Sequence, residues 1–253
     1  MTAHNDNTGE NSLPRLDTER IKGVIFDYGG TLDSGGDHWS EVIWKAWQQA
    51  GVACSKGEFR EAYVYAEREL ARTRHILPEH DFSDLLGIKM RIELGYLAQN
   101  GLFPPAQVDD YATKIASLCY AEARRHVTEA IPVLEAISRR YPMALVSNFY
   151  GNIEAVLKDF DILRFFPHIV ESAVVGVRKP DPEIFRLGAK ALRLEPEQTL
   201  VVGDSLKKDI LPAESIGCQT LWLKGKGWTA EEDAATHPGT ITSLTQILPV
   251  LGL

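Results

Sequence analysis

Gly23-Val24-Ile25-Phe26-Asp27-Tyr28-Gly29-Gly30-Thr31-Leu32-Asp33 is the stretch on which the reading of this 253-residue chain turns. Val24 to Phe26 are β-branched or aromatic and with Gly23 form an apolar-leaning run, the pattern of a strand buried on both faces. The run stops at a carboxylate, and two glycines follow. In open α/β sheets, ligands collect beyond the carboxyl ends of the strands, so Asp27 is placed at a pocket mouth beside backbone free to approach a ligand. Taken alone, the stretch fits equally well a buried strand ending in a turn-capping Asp. The rest of the chain decides between the two.

Working outward, residues 1–19 are rich in Asn, Thr and Asp and read as a disordered tail. On the other side, Ser34-Gly35-Gly36 reads as a hinge, and residues 37–127 show helical patterns without a convincing strand. Trp39, Val42, Ile43, Ala46 and Trp47 fall at helical spacing. Ser55 is a candidate cap for a helix reaching about Arg74, and two more helices are expected over Phe82 to Gln99 and Pro105 to Arg125. This is expected to be a helical cap inserted into a core made of residues 20–36 and 128–253.

Strand and helix alternate after Thr128. A helix from Ala130 to Arg140 leads to a strand, Met143 to Val146, ending at Ser147-Asn148. A helix over 151–160 precedes a strand at Ile169 to Val175, and Asp181-Pro182-Glu183 marks a helix start. Thr199 to Val202 is a buried strand closed by Gly203-Asp204-Ser205. Gln219 to Leu223 gives another strand, and Ile241 to Leu251 a last helix. The fold class is therefore α/β, a doubly wound parallel sheet of Rossmann-like type with an inserted all-α cap.

Polar residues recur just past these strands: Asp27, Ser147, Lys179 in Val177-Arg178-Lys179-Pro180, and Asp204 with Asp209. Each has an ordinary explanation, and Asp209 is well placed to N-cap the helix containing Pro212. Together they amount to three carboxylates, a hydroxyl and an ammonium, an inventory suited to phosphoryl chemistry. Carboxylates hold Mg²⁺, a hard cation that prefers oxygen. The cation and a lysine neutralise the oxygens of a transferring phosphoryl group, and a carboxylate such as Asp27 is able to attack phosphorus.

The composition is compatible with that reading. A formal net charge of -8 argues against non-specific binding to nucleic acid. There is no signal-peptide pattern and no apolar run of the ~18 residues a bilayer requires. Cys54, Cys119 and Cys218 have no metal-type spacing and read as reduced thiols. A cytoplasmic protein with no membrane or nucleic-acid partner is expected; nothing sets its oligomeric state.

The ordered motifs Asp27-Tyr28-Gly29-Gly30-Thr31, Ser147, Lys179 and Gly203-Asp204 with Asp209 resemble those of the haloacid dehalogenase superfamily, over about residues 21 to 225. The resemblance implies a hydrolase, most simply a Mg²⁺-dependent phosphatase of a small anionic phosphorylated metabolite. It implies that Asp27 is nucleophile and metal ligand and that the Gly29 carbonyl and Asp204, with Asp209, complete the metal site. Lys179 and Ser147 are then catalytic residues at the phosphate, and Thr31 and Asn148 join Lys179 in holding substrate.

One departure stands out. The family's phosphatases carry a second Asp, the general acid and base, where this chain has Gly29. Such a group is typically worth about 10²–10⁴-fold, or roughly 3–5 kcal/mol of barrier. Weakened proton transfer is therefore expected, with a preference for aryl or acyl phosphates. Asp33 is a substitute only if its loop folds back. Alternatives are dehalogenase chemistry, although Tyr28 stands one place early for it, phosphonatase chemistry with a lysine among Lys45, Lys56, Lys89 and Lys114, or phosphate-ligand binding without turnover. His38, Trp39 and Phe149 are further candidates to face a substrate.

Overall fold

The computed structural model describes residues 13–253. Residues 1–12 of the expected tail lie outside them. Within the described part of that stretch the chain is fastened at Asp17, whose N–H donates to Gln219 Oε1 (2.7 Å) while Gln219 Nε2 donates back to the Asp17 carbonyl (2.9 Å).

Strand β1 (Gly23–Phe26) is central in a six-stranded parallel sheet. The others are β2 (Met143–Ser147), β3 (His168–Glu171), β4 (Thr199–Gly203), β5 (Gln219–Leu223) and the two-residue β6 (Thr240–Ile241). Their order is β3-β2-β1-β4-β5-β6, with Phe26 opposite Leu145 on one side and Val202 on the other. The chain thus winds outward through β2 and β3, then returns to the far side of β1. That reversal opens a crevice between β1 and β4.

Both faces of the sheet are covered, which explains the unbroken apolar run. Val24 and Phe26 point into one core with Leu145, Leu200 and Val202; Ile25 points into the other with Val146, Val201 and Phe185. Four helices follow β1: α1 (Trp39–Ala50), α2 (Lys56–Arg72), α3 (Phe82–Gln99) and α4 (Val108–Ser138). Gly51 ends α1 in the left-handed conformation (φ 87°), and Ser55 with Glu58 forms a capping box on α2.

Helix α4 departs from expectation. The separate helices proposed over 105–125 and 130–140 are one helix of 31 residues, so the expected boundary between 127 and 128 falls inside it. A buried stripe of Ala123, Val127, Ala130, Leu134 and Ile137 runs straight through the junction. Pro132 is tolerated because it lies on the exposed face, where the carbonyl left without a partner meets water.

The remaining helices are short: α5 (Ile153–Asp159), α6 (Ser172–Val175), α7 (Glu183–Ala191), α8 (Leu211–Glu214), α9 (Ala230–Ala234) and α10 (Ile247–Leu251). Three differ from the sequence reading. The strand expected over 169–175 ends at Glu171 and turns into α6. The last helix begins at Ile247, because Thr240 and Ile241 pair with β5 first. Helix α7 begins one residue after the expected Pro182, and the Asp181 carboxylate accepts from the Glu183 N–H (3.0 Å).

Candidate active site

The segments following β1, β2, β3 and β4 converge on a cavity of about 700 Å³. Its inner end is lined by Asp27, Gly29, Ser147, Asn148, Lys179, Asp204, Ser205 and Asp209, and its outer part by residues of α1–α3 and of the loop after β5.

Asp27 sits one residue past β1, with its N–H donating to the Val202 carbonyl of β4 (3.0 Å), so the crevice positions it directly. Lys179 Nζ donates to Asp27 Oδ1 at 2.6 Å and stands 2.6 Å from Asp209 Oδ1. The second of these contacts is an ion pair outside directed hydrogen-bond geometry. Asp209 Oδ2 accepts from the Ser205 N–H (3.0 Å). The N-cap role expected for Asp209 is therefore not taken. Ser205 caps the π-turn Leu206–Ile210 instead, through Lys208 N–H, and Asp209 lies inside that turn with its carboxylate directed back to Lys179.

Asp27, Asp204 and Asp209 each offer an oxygen within 4.8 Å of the others. The close approach of Asp204 depends on Gly30, at φ 95°, where a Cβ would stand 2.4 Å from the Asp204 carboxyl. At Gly203 a Cβ would stand 2.5–2.7 Å from the Asp209 side chain. Trp222 Nε1 on β5 donates to the Asp204 carbonyl (2.6 Å), a support the sequence did not announce.

Three carboxylates around one ammonium leave the buried cluster with surplus negative charge. Burial, together with the charge of Asp209, raises the pKa of Asp27 above its usual value, although Lys179 pulls the other way. Burial and the charges of Asp209 and Asp27 raise Asp204 well above its usual value, with Lys179 opposing. For Lys179, burial favours the neutral amine, but Asp209 and Asp27 outweigh it and hold the ammonium. A hard divalent cation among these oxygens relieves that surplus.

The other sequence candidates are placed as follows. Ser147 ends β2, buried at the cavity wall. Asn148 lines the cavity and exchanges hydrogen bonds with the Lys179 backbone, Nδ2 to O (3.1 Å) and N–H to Oδ1 (2.9 Å), so it fixes the lysine loop. Thr31, expected at the substrate, is fully buried outside the cavity lining. Its hydroxyl lies 3.3 Å from Asp27 Oδ2 and 3.4 Å from Asp204 Oδ1, because the turn after Tyr28 carries its side chain back over Asp27. Tyr28 is buried edge-on against Phe82 and Phe149. His38 N-caps α1 and Trp39 and Phe149 line the cavity. The Ser40 N–H donates to His38 Nδ1 (3.2 Å); burial and the nearby cations Lys208 and Lys89 lower the ring to about 4.

Of the four lysines, Lys45 pairs with Asp37, Lys56 with Glu41, and Lys114 donates to the Ala50 carbonyl. Lys89 alone of these lines the cavity. It pairs with Glu67, which also accepts from Tyr150 OH (3.2 Å), and lies over the Tyr63 ring at 4.3 Å. No motif marks this group; a helical register placing Lys89, Tyr63 and Glu67 on facing sides of α2 and α3 was the available signal.

The chain is similar to several known proteins over part or most of its length. The chain is 41% identical over 90 residues to the glyceraldehyde 3-phosphate phosphatase of Pyrococcus furiosus, covering 34% of this chain and 37% of that protein. It is 31% identical over 130 residues to the phosphoglycolate phosphatase of Escherichia coli K12, covering 51% of this chain and 50% of that one. The matched stretches thus span half or less of those relatives. Among solved structures, the HAD-hydrolase YfnB from Bacillus subtilis bound to magnesium shares the fold, with TM-score 0.56 at 18% identity over 92% of this chain and all of that one. The family described as haloacid dehalogenase-like hydrolase matches residues 21–217, well over half of the chain, and the protein belongs to that family.

Proposed function

We propose that the protein is a Mg²⁺-dependent phosphoric monoester hydrolase that takes a small phosphorylated metabolite through an aspartyl-phosphate at Asp27. The observation that carries this reading is the cluster of Asp27, Asp204 and Asp209 about Lys179, at the inner end of a cavity large enough for a metabolite. Membership of a hydrolase family and partial matches to two phosphatases support it.

In this reading Asp27, Asp204, Asp209 and the Gly29 carbonyl hold the cation, which supplies charge neutralisation at the phosphoryl oxygens. Lys179 fixes the Asp27 carboxylate through its 2.6 Å contact and presents its charge to the phosphate, and the Ser147 hydroxyl orients a phosphoryl oxygen. Asn148 acts by holding the Lys179 loop. Thr31 acts by holding the carboxylates rather than by touching substrate. Two observations weigh against the alternatives. Tyr28 is buried away from the cavity, and Lys89, the lysine that would have to be a neutral amine for Schiff-base chemistry, is held as an ammonium by Glu67 against the cost of its burial. The acidic composition and the three free cysteines support a cytoplasmic protein without a nucleic-acid partner. Among the described residues no helix is long and apolar enough to cross a membrane.

The test is a panel of alkyl, aryl and acyl phosphates assayed with Mg²⁺ and with chelator, for wild type and Asp27→Asn. Phosphate release that needs the metal and disappears in Asp27→Asn is expected. Halide release from haloacids would replace this reading with dehalogenase chemistry, and binding of phosphate ligands without turnover across the panel would make the protein a binder.

A further inference from the structure

Position 29 brings no side chain, so the proton required by an alkoxide leaving group has to come from elsewhere. The chain after Gly29 does not run straight out. Thr31 and Leu32 both donate backbone N–H to the Tyr28 carbonyl (3.1 and 2.8 Å), and Ser34 Oγ and the Gly36 N–H return to the Gly30 carbonyl (3.0 and 2.7 Å). A turn of helical pitch brings the residue four places on to the same side. Asp33 is accordingly folded back beside Gly29–Gly30. Its Oδ1 accepts from the Gly30 N–H at 2.7 Å, and both oxygens lie 3.1 Å from Trp39 Nε1. The same Trp39 Nε1 stands 4.0 Å from where a Cβ on Gly29 would be. Asp33 thus lines the cavity wall next to the space the missing carboxylate leaves open.

We propose that Asp33 is the acid and base of this site, working through the gap at Gly29 that an aspartate fills in the family's phosphatases. The inference rests on the phosphatase reading above. As Asp27 attacks, the bond from phosphorus to the ester oxygen breaks and that oxygen takes the proton of the Asp33 carboxyl, leaving as the alcohol. The Asp33 carboxylate then takes a proton from the water that attacks the aspartyl-phosphate. Inorganic phosphate leaves, Asp27 returns as carboxylate and Asp33 is again protonated. Burial suits Asp33 to this exchange: it pushes the carboxyl up to about 8 although the Gly30 and Trp39 donors favour the anion, so the group carries its proton at neutral pH.

The test is the dependence on leaving group. In Asp33→Asn, kcat/KM for the best alkyl monoester of the panel is expected to fall by about 10²–10⁴-fold, and for p-nitrophenyl phosphate at least tenfold less. A stoichiometric burst of p-nitrophenol is expected, because hydrolysis of the phosphoenzyme has lost its base. Adding Gly29→Asp to Asp33→Asn is expected to restore most of the alkyl activity; its Cβ would meet nothing nearer than Trp39 Cδ1 at 3.9 Å. A purely structural Asp33 would lower both substrates by the same factor without a burst, and that result overturns the proposal. Wild type gives a measurement that needs no folded variant: kcat/KM across aryl and alkyl esters should vary little with the pKa of the leaving alcohol, and a steep fall overturns the proposal. If Asp27→Asn abolishes turnover while either of these fails, Asp33 alone is misassigned. If Asp27→Asn changes nothing, the phosphatase reading falls and this one with it.

Discussion

At Gly30 the backbone turns through φ 95° and the Asp204 carboxyl occupies the space of a side chain. Gly30→Ala must displace either that carboxyl or the turn that places Thr31 and Asp33. Misplacement of about 1 Å costs on the order of 10²-fold, so kcat/KM should drop by about that factor, with weaker Mg²⁺ dependence, in steady-state assays. Undiminished turnover in Gly30→Ala would mean that Asp204 is not a working ligand. The residues legible in the sequence were those that end an apolar run: Asp27, Ser147 and Asp204 are placed by β1, β2 and β4 themselves. Those whose placement the sequence left open, Thr31 behind the cavity lining, Asp33 at its wall and Asp209 at the lysine rather than at a helix cap, all sit in turns. Their directions depend on hydrogen bonds back to Tyr28, Gly30 and Ser205, which no local pattern encodes.

At the scale of elements, capping signals were sufficient where the buried stripe also stopped. Ser55 marked a real helix start. The break expected between 125 and 130 had no such cap and is absent, because Val127, Ala130 and Leu134 continue the stripe of α4 across it. The Thr128 hydroxyl donates to the Arg124 carbonyl (2.7 Å), the bond of a residue within a helix. Since Pro132 removes one intrahelical bond without packing in the core, Pro132→Ala is expected to stabilise the protein by about 1–3 kcal/mol. The urea midpoint reads this, and a lower midpoint would show that α4 requires the proline where it stands.

For the whole molecule, the pH dependence of stability has an identifiable source in Glu93. This residue of α3 is fully buried with neither carboxyl oxygen hydrogen-bonded, and burial pushes it up to about 8, with Lys89 opposing and Glu67 reinforcing the shift. The unfolded chain releases this proton near the ordinary value of 4.5, whereas the fold retains it until about 8. Between those limits the folded state binds more protons, so stability falls as pH rises. Glu93→Gln should remove this component, leaving a variant more stable than wild type at pH 8 by about 2–4 kcal/mol but little different at pH 4.5. Thermal melts at both pH values check it, and a constant difference would assign the slope elsewhere. The doubly wound sheet was readable because every strand is followed by a helix-forming segment; the pairing of β6 was not, since two residues carry no periodicity.

Helix α4 packs against α1 and α3 near one end and α10 near the other, and at ~1.5 Å per residue its 31 residues extend about 46 Å. It is a stiff spar rather than a tether. One of the two covalent routes between α1–α3 and the sheet is the turn at Gly35–Gly36; the other is this spar, whose interior is interrupted at Pro132, which leaves the Thr128 carbonyl without its helical bond. Any swing of α1–α3 that admits a substrate therefore either pivots at the glycines with α4 carried along whole, or flexes the spar at that one joint.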